Sequence, residues 1–194
     1  MFGKLLKVAL LTVFAYLLQA TVAFHISLWD VAPNIALALV STVAIGLGRK
    51  YTFLMSLAIG YLLEIMIPSL GYIDLILYPV CAMLGALAFS DKSERKLEEE
   101  RSTGKRTRMP HAHIRTPLCA AVSILVYEGV HLVYIYLDGV SLSSSHFIRA
   151  LINVLYTMLL AGALQFPARW WLGVYKVKKA RRNEGHAKPY PEGA

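Results

Sequence analysis

Residues 51–89 read YTFLMSLAIGYLLEIMIPSLGYIDLILYPVCAMLGALAF, two apolar runs joined by Pro68-Ser69-Leu70-Gly71. A helix rises about 1.5 Å per residue and a bilayer core is about 30 Å thick, so a run of roughly 20 apolar residues can cross it. Both runs, 51–67 and 70–89, are close to that length, and the joint is too short to hold a soluble domain. The stretch reads as a tight hairpin in lipid, with Glu64 and Asp74 on either side of the turn and hence at one membrane face.

The rest of the chain has the same character. With 57% hydrophobic and 16% charged residues and a mean hydropathy of +0.53, it is too apolar for a soluble domain of 194 residues. The formal charge of +8 would suggest nucleic acid in a soluble protein. Here the basic residues lie between and after the apolar runs, where they act as orientation signals. Cys81 and Cys119 belong to no CxxC pair and fall in the halves of their segments nearest the cytoplasm, so neither a disulfide nor a thiolate metal site is expected.

Working outward, segment one covers residues 5–24 behind Lys4 and Lys7, interrupted only by Thr12, Gln19 and Thr21. Thr21-Val22-Ala23 imitates a cleavage site, but the run exceeds the roughly 7 to 15 residues of a signal peptide, so a retained helix is expected. Segment two, residues 31–48, opens Ala32-Pro33-Asn34, and proline in a first helical turn marks a helix start. Segment three carries Ser56 and Gly60 four apart, and segment four carries Ala82 and Ala86 beside Gly85. Such small-residue faces allow close helix contact, within the chain or with a partner's helix.

Residues 90–116 form a charged loop in which Arg95 with Glu99 and Lys96 with Glu100 could support a short exposed helix ending at Gly104. Segments five (117–137) and six (146–165) follow, then a basic tail from Arg169 in which Trp170 and Trp171 suit an interfacial belt. The expected domain division is a transmembrane unit over 1–168 and a cytoplasmic tail over 169–194. If the N-terminus is cytoplasmic and all six segments span, 19 of the 20 lysines and arginines face the cytoplasm and Arg149 stands alone outside. The expected fold is therefore an all-α bundle of six transmembrane helices with both termini inside.

That layout gathers Glu64, Asp74, Glu128, His131 and Arg149 in the outward half. Ionisable groups at membrane depth cost about 2.5 to 3.5 kcal/mol on insertion scales and so face the bundle interior or a wet cavity. Glu128 and His131, three apart, share a helix face, and Arg149 is expected to pair with a carboxylate. Three readings compete: a buried network fixing helix packing, a cavity for a partner or small ligand, and a metal site from Glu128, His131 and Asp74. The last is poorly supplied, with one histidine in reach. No HExxH, GxSxG or GxxxxGK[ST] occurs, and His111-Ala112-His113 and the Ser143-Ser144-Ser145-His146 run read as polar loop.

Ala32-Pro33-Asn34 before an apolar helix, then Arg49-Lys50-Tyr51, Gly60, Glu64 and Gly71 after a short turn, resemble the rod shape-determining protein MreD family. The likeness is best over residues 31–89. It departs where the family's helix-three aspartate is Glu64, where the turn carries Pro68, and in the length of the 90–116 loop. The resemblance implies a non-enzymatic scaffold of the bacterial inner membrane, without cofactor or metal. Its implied partners are an MreC-like bitopic protein and, through it, an MreB-like filament, a SEDS glycan polymerase and a penicillin-binding transpeptidase. The family also resembles, in fold, the S-components of energy-coupling-factor importers, which gives a rival reading as a small-molecule importer subunit. Against that rival, Ala9, Ala15, Ala20 and Ala23 in segment one make no AxxxA pair.

Overall fold

The computed structural model describes residues 2–66, 73–89 and 110–174. Among them the chain is helical, and six helices follow one another. Helix α1 (Phe2–Leu17) runs through a π-helical turn (Leu18–Val22) into a last α-turn (Ala23–His25). After it come α2 (Ile35–Gly46), α3 (Arg49–Met66), α4 (Ile73–Phe89), α5 (Ala112–Leu137) and α6 (Ser144–Leu172). Three of them, α1 with its extension, α5 and α6, are long and apolar enough to cross a membrane. Pro68, Gly71, the charged 90–109 stretch with its possible short helix, and the tail from Tyr175 lie outside the described residues.

Helix α2 is the hub. Every residue from Ile35 to Ile45 is buried, and α2 touches each of the other five helices. Those five form a ring in the order α1, α3, α4, α5, α6. At 12 residues α2 is only about 18 Å long, short of a bilayer core. Its neighbours enclose it, so its length need not match the lipid. Segment two therefore differs from expectation: the helix is shorter than 31–48, and Pro33 stands just before it. Asn34 is the N-cap, its Oδ1 accepting the Leu37 N–H at 2.9 Å.

The small-residue faces are used inside the ring. Gly60 is buried against α4, where a Cβ would lie 2.7 Å from the Asp74 carbonyl oxygen and 3.3 Å from Tyr78 Cβ. Ser56 is fully buried and donates to the Phe53 carbonyl. This corrects the expectation that these two could receive a partner's helix, because α4 already covers Gly60 and Ser56 has no surface. Gly85 lets α4 approach α5 in the same way, at the Cys119 carbonyl and Ser123 Oγ. Both cysteines are free and buried.

The outer face of the ring is apolar: Leu6, Phe14, Leu57, Ile65, Ile76, Leu125, Val133 and Leu159 are all exposed. A soluble protein would not leave so much apolar surface uncovered, whereas lipid accepts it. Three of the described helices carry an internal proline, Pro79 in α4, Pro117 in α5 and Pro167 in α6. Pro117 lies inside α5, which begins at Ala112, so Arg115 and Thr116 belong to the helix and not to the loop. Pro117 has no N–H for the His113 carbonyl one turn back, and Gln165 Nε2 donates to that oxygen instead, at 3.3 Å. Likewise α6 passes Pro167 and ends at Leu172 with Gly173 in the left-handed region, four residues beyond the division expected at 168.

Candidate functional site

A polar network occupies one end of the bundle, built on the start of α2. Besides capping its own helix, Asn34 donates from Nδ2 to Tyr78 Oη on α4 at 2.9 Å and from its backbone N–H to Thr157 Oγ1 on α6 at 3.0 Å. The Thr157 hydroxyl donates to Asn153 Oδ1 at 3.1 Å, and Asn153 Nδ2 donates to Glu128 Oε1 on α5 at 2.5 Å. On the other side Tyr127 Oη donates to Asp74 Oδ1 at 3.1 Å, and His131 Nε2 stands 3.9 Å from the same oxygen. The Tyr127 ring packs edge-on against Tyr78, centroids 5.4 Å apart, and lies 4.4 Å from the His131 ring. Helix α1 joins through Gln19 in its π-helical turn, whose Oε1 accepts the Ala36 N–H at 3.1 Å and whose Nε2 donates to the Pro33 carbonyl at 3.4 Å.

The link between α1 and α2 closes this end. Leu28 and Val31 bond to each other's backbone around Trp29 and Asp30, both in the left-handed region at φ of 50° and 59°. Two positive φ angles suit a tight hairpin turn, but neither residue is glycine, so the turn is strained and depends on its neighbours. Helix α6 supplies them: Arg149 Nη2 donates to the Asp30 carbonyl at 3.0 Å, and Tyr156 Oη to the Ile26 carbonyl at 2.6 Å.

Two cavities flank Asn153. One of about 280 Å³ is lined by Asp30, Glu128, His131, His146, Arg149 and Asn153. The other, about 230 Å³, is lined by Gln19, Asn34, Asp74, Tyr78, Tyr127 and Asn153. Among the described residues no three His, Cys, Asp or Glu side chains come close enough to hold a metal ion.

Of the residues singled out from sequence, Asn34, Asp74, Glu128, His131 and Arg149 do come together. Glu64 does not line either cavity; it is only 4% exposed, within α3, which removes it as an outward partner contact. Arg149 bonds a backbone carbonyl and not a carboxylate, because the strained turn offers it an oxygen at the α6 rim. Ser56 and Gly60 belong to the α3–α4 packing, and Gly71 lies outside the described residues. Sequence reasoning missed Gln19, Tyr78 and Tyr127 and did not connect Asn153 with Glu128. An amide in an otherwise apolar segment was the available signal for Gln19 and Asn153.

No protein-family profile, curated protein or solved structure matches this chain.

Proposed function

We propose that this chain is a six-span, non-enzymatic scaffold of the bacterial inner membrane, MreD-like, with both termini in the cytoplasm. In this reading it binds an MreC-like bitopic protein and through it serves an MreB-like filament, a SEDS glycan polymerase and a penicillin-binding transpeptidase. The observation that carries the scaffold reading is the use made of the polar groups. Tyr78, Asn34, Thr157, Asn153 and Glu128 form one bonded chain, and Tyr127 with Asp74 a second bond beside it, together across four helices. Groups so engaged fix helix positions, which suits a platform better than a reactive centre. Support for six spans comes from the alternation of helix ends: Lys4, Arg49 and Arg169 stand at the end opposite Asn34 and Asp74.

With Ser56, Gly60 and Glu64 buried and Asp74 half-buried, Arg149 is an exposed rim charge open to a periplasmic partner. The test is affinity capture of the tagged chain from membranes of its host, together with its depletion. Recovery of a bitopic protein with a periplasmic domain, its yield lowered by Arg149→Glu, and rounding of depleted cells support the scaffold. Normal cell shape on depletion and no bitopic partner overturn it.

The two cavities favour a second reading, an importer's substrate-binding subunit. Ala15 and Ala23 of the first helix and its extension are buried, which removes those two as contacts for a coupling partner. A small ligand retained through purification, with no bitopic partner, would move the assignment to this class.

A further inference from the structure

The five-helix ring is not closed equally on all sides. Helices α1 and α6, the first and last of the described helices, meet only along a short seam. An apolar slot of about 450 Å³ opens there, lined by Leu10 and Phe14 of α1, Leu39 of the hub, and Leu164, Pro167 and Trp171 of α6. Its floor reaches Leu39, 2% exposed, while its mouth is wide open at Leu10 and Trp170. Toward the basic end, one turn before Leu10 and Leu11 of the lining, Lys7 ties α1 to α6, its Nζ donating to the Trp171 carbonyl at 3.1 Å while Trp171 Nε1 donates to the Lys7 carbonyl at 3.5 Å.

We infer that this slot binds an anionic phospholipid, one acyl chain lying in the slot and the phosphate resting on Lys7 and Lys4. The lining supplies only apolar contact, which selects a hydrocarbon occupant. Charge then favours a lipid over a partner's apolar helix: two lysines stand at the basic end of the slot, and an apolar helix brings them no anion. The charge at the mouth selects the headgroup. The Lys7 ammonium has three N–H donors and gives one to Trp171, leaving two for an anion. Lys4 is exposed three residues earlier on the same helix face. Basic pockets between membrane helices at the cytoplasmic side recognise anionic headgroups on this principle. The inference depends on this end of the bundle lying in a bilayer and is independent of the scaffold reading.

The three tryptophans make the site readable. In the full chain carrying Trp29→Phe, emission comes from Trp170 and Trp171 at the slot. The protein is placed in phosphatidylcholine vesicles with a minor fraction of either brominated phosphatidylglycerol or brominated phosphatidylcholine. Binding gives stronger quenching by the phosphatidylglycerol at equal fraction. Lys4→Gln and Lys7→Gln each lower that preference about fivefold, the pull of one lysine near an anionic surface, and Lys50→Gln, outside the slot, leaves it unchanged. Lys4→Gln keeps the test valid should Lys7→Gln unseat α1. Equal quenching by both lipids, or a preference that survives the double substitution, overturns the site. Tryptophans quenched by neither lipid also overturn it, since a protein then covers the slot.

Discussion

The two ends of this bundle are held by different chemistry. At the polar end, side chains bond side chains across helices, and the network of Asn34, Tyr78, Asn153, Thr157 and Glu128 encloses two cavities. At the basic end, long side chains reach backbone oxygens, as Arg149 and Tyr156 also do at the rim of the polar end. Lys7 takes the Trp171 carbonyl, Arg115 Nη1 the Phe89 carbonyl at 3.2 Å, and Gln165 the His113 carbonyl. Phe89 and Trp171 lie in the last turns of α4 and α6, where carbonyls lack helical partners and a cation meets the negative end of the helix dipole. The first arrangement is specific and costly to interrupt. The second is a set of local caps, of which the exposed one at Lys7 is removable with little effect on its neighbours.

That contrast can be broken in graded steps, read as unfolding free energy in detergent. The largest effect is expected at the polar end from Gly60→Val, whose side chain would collide with the Asp74 carbonyl and push α3 from α4. A loss of about 3 kcal/mol is expected from such overpacking, and a loss below a third of that would mean the hairpin is looser than drawn. Next comes Asn153→Leu, which strips Glu128 of its amide partner and Thr157 of its acceptor. About 2 kcal/mol is expected for the orphaned groups, with Glu128→Gln partly restoring the double variant. Gln165→Leu, leaving the His113 carbonyl opposite Pro117 bare, should cost about 1 kcal/mol. Lys7→Gln should cost least, about 0.5 kcal/mol from one helix-end contact at an exposed site. If Lys7→Gln proved as damaging as Asn153→Leu, the two ends would not differ in the way described.

The pairing of α3 with α4 was legible because its cues are local: two apolar runs, a short joint in the sequence and flanking charge. The hub was not. Residues 35–46 make the most apolar of the helices, but residues 73–89 are nearly as apolar and lie on the ring, and in lipid a chain can be apolar on both its buried and its outward faces, so hydropathy alone does not say which helix lies inside. Only the density of small residues, Ala36, Ala38, Ser41, Thr42 and Ala44, all buried, distinguishes α2 as the helix around which others pack closely. At the site, charge pointed to Asp74, Glu128, His131 and Arg149 but overvalued Glu64, since a carboxylate on an apolar helix can turn inward as easily as outward. Neutral partners such as Tyr78, Tyr127 and Thr157 announce themselves only through their neighbours in space.

The proposal that six helices span the membrane with the polar end outside the cell is tested most directly by sidedness. In a chain with Cys81 and Cys119 replaced by alanine, single cysteines at Ser27 and Ser141 should react with a membrane-impermeant thiol reagent on intact cells. Cysteines at Gly3 and Lys50 should react only after the membrane is opened. Labelling of the Lys50 position from outside, alongside the Ser27 position, would mean that residues 31–48 do not carry the chain across the membrane, and the bundle described here would be wrong.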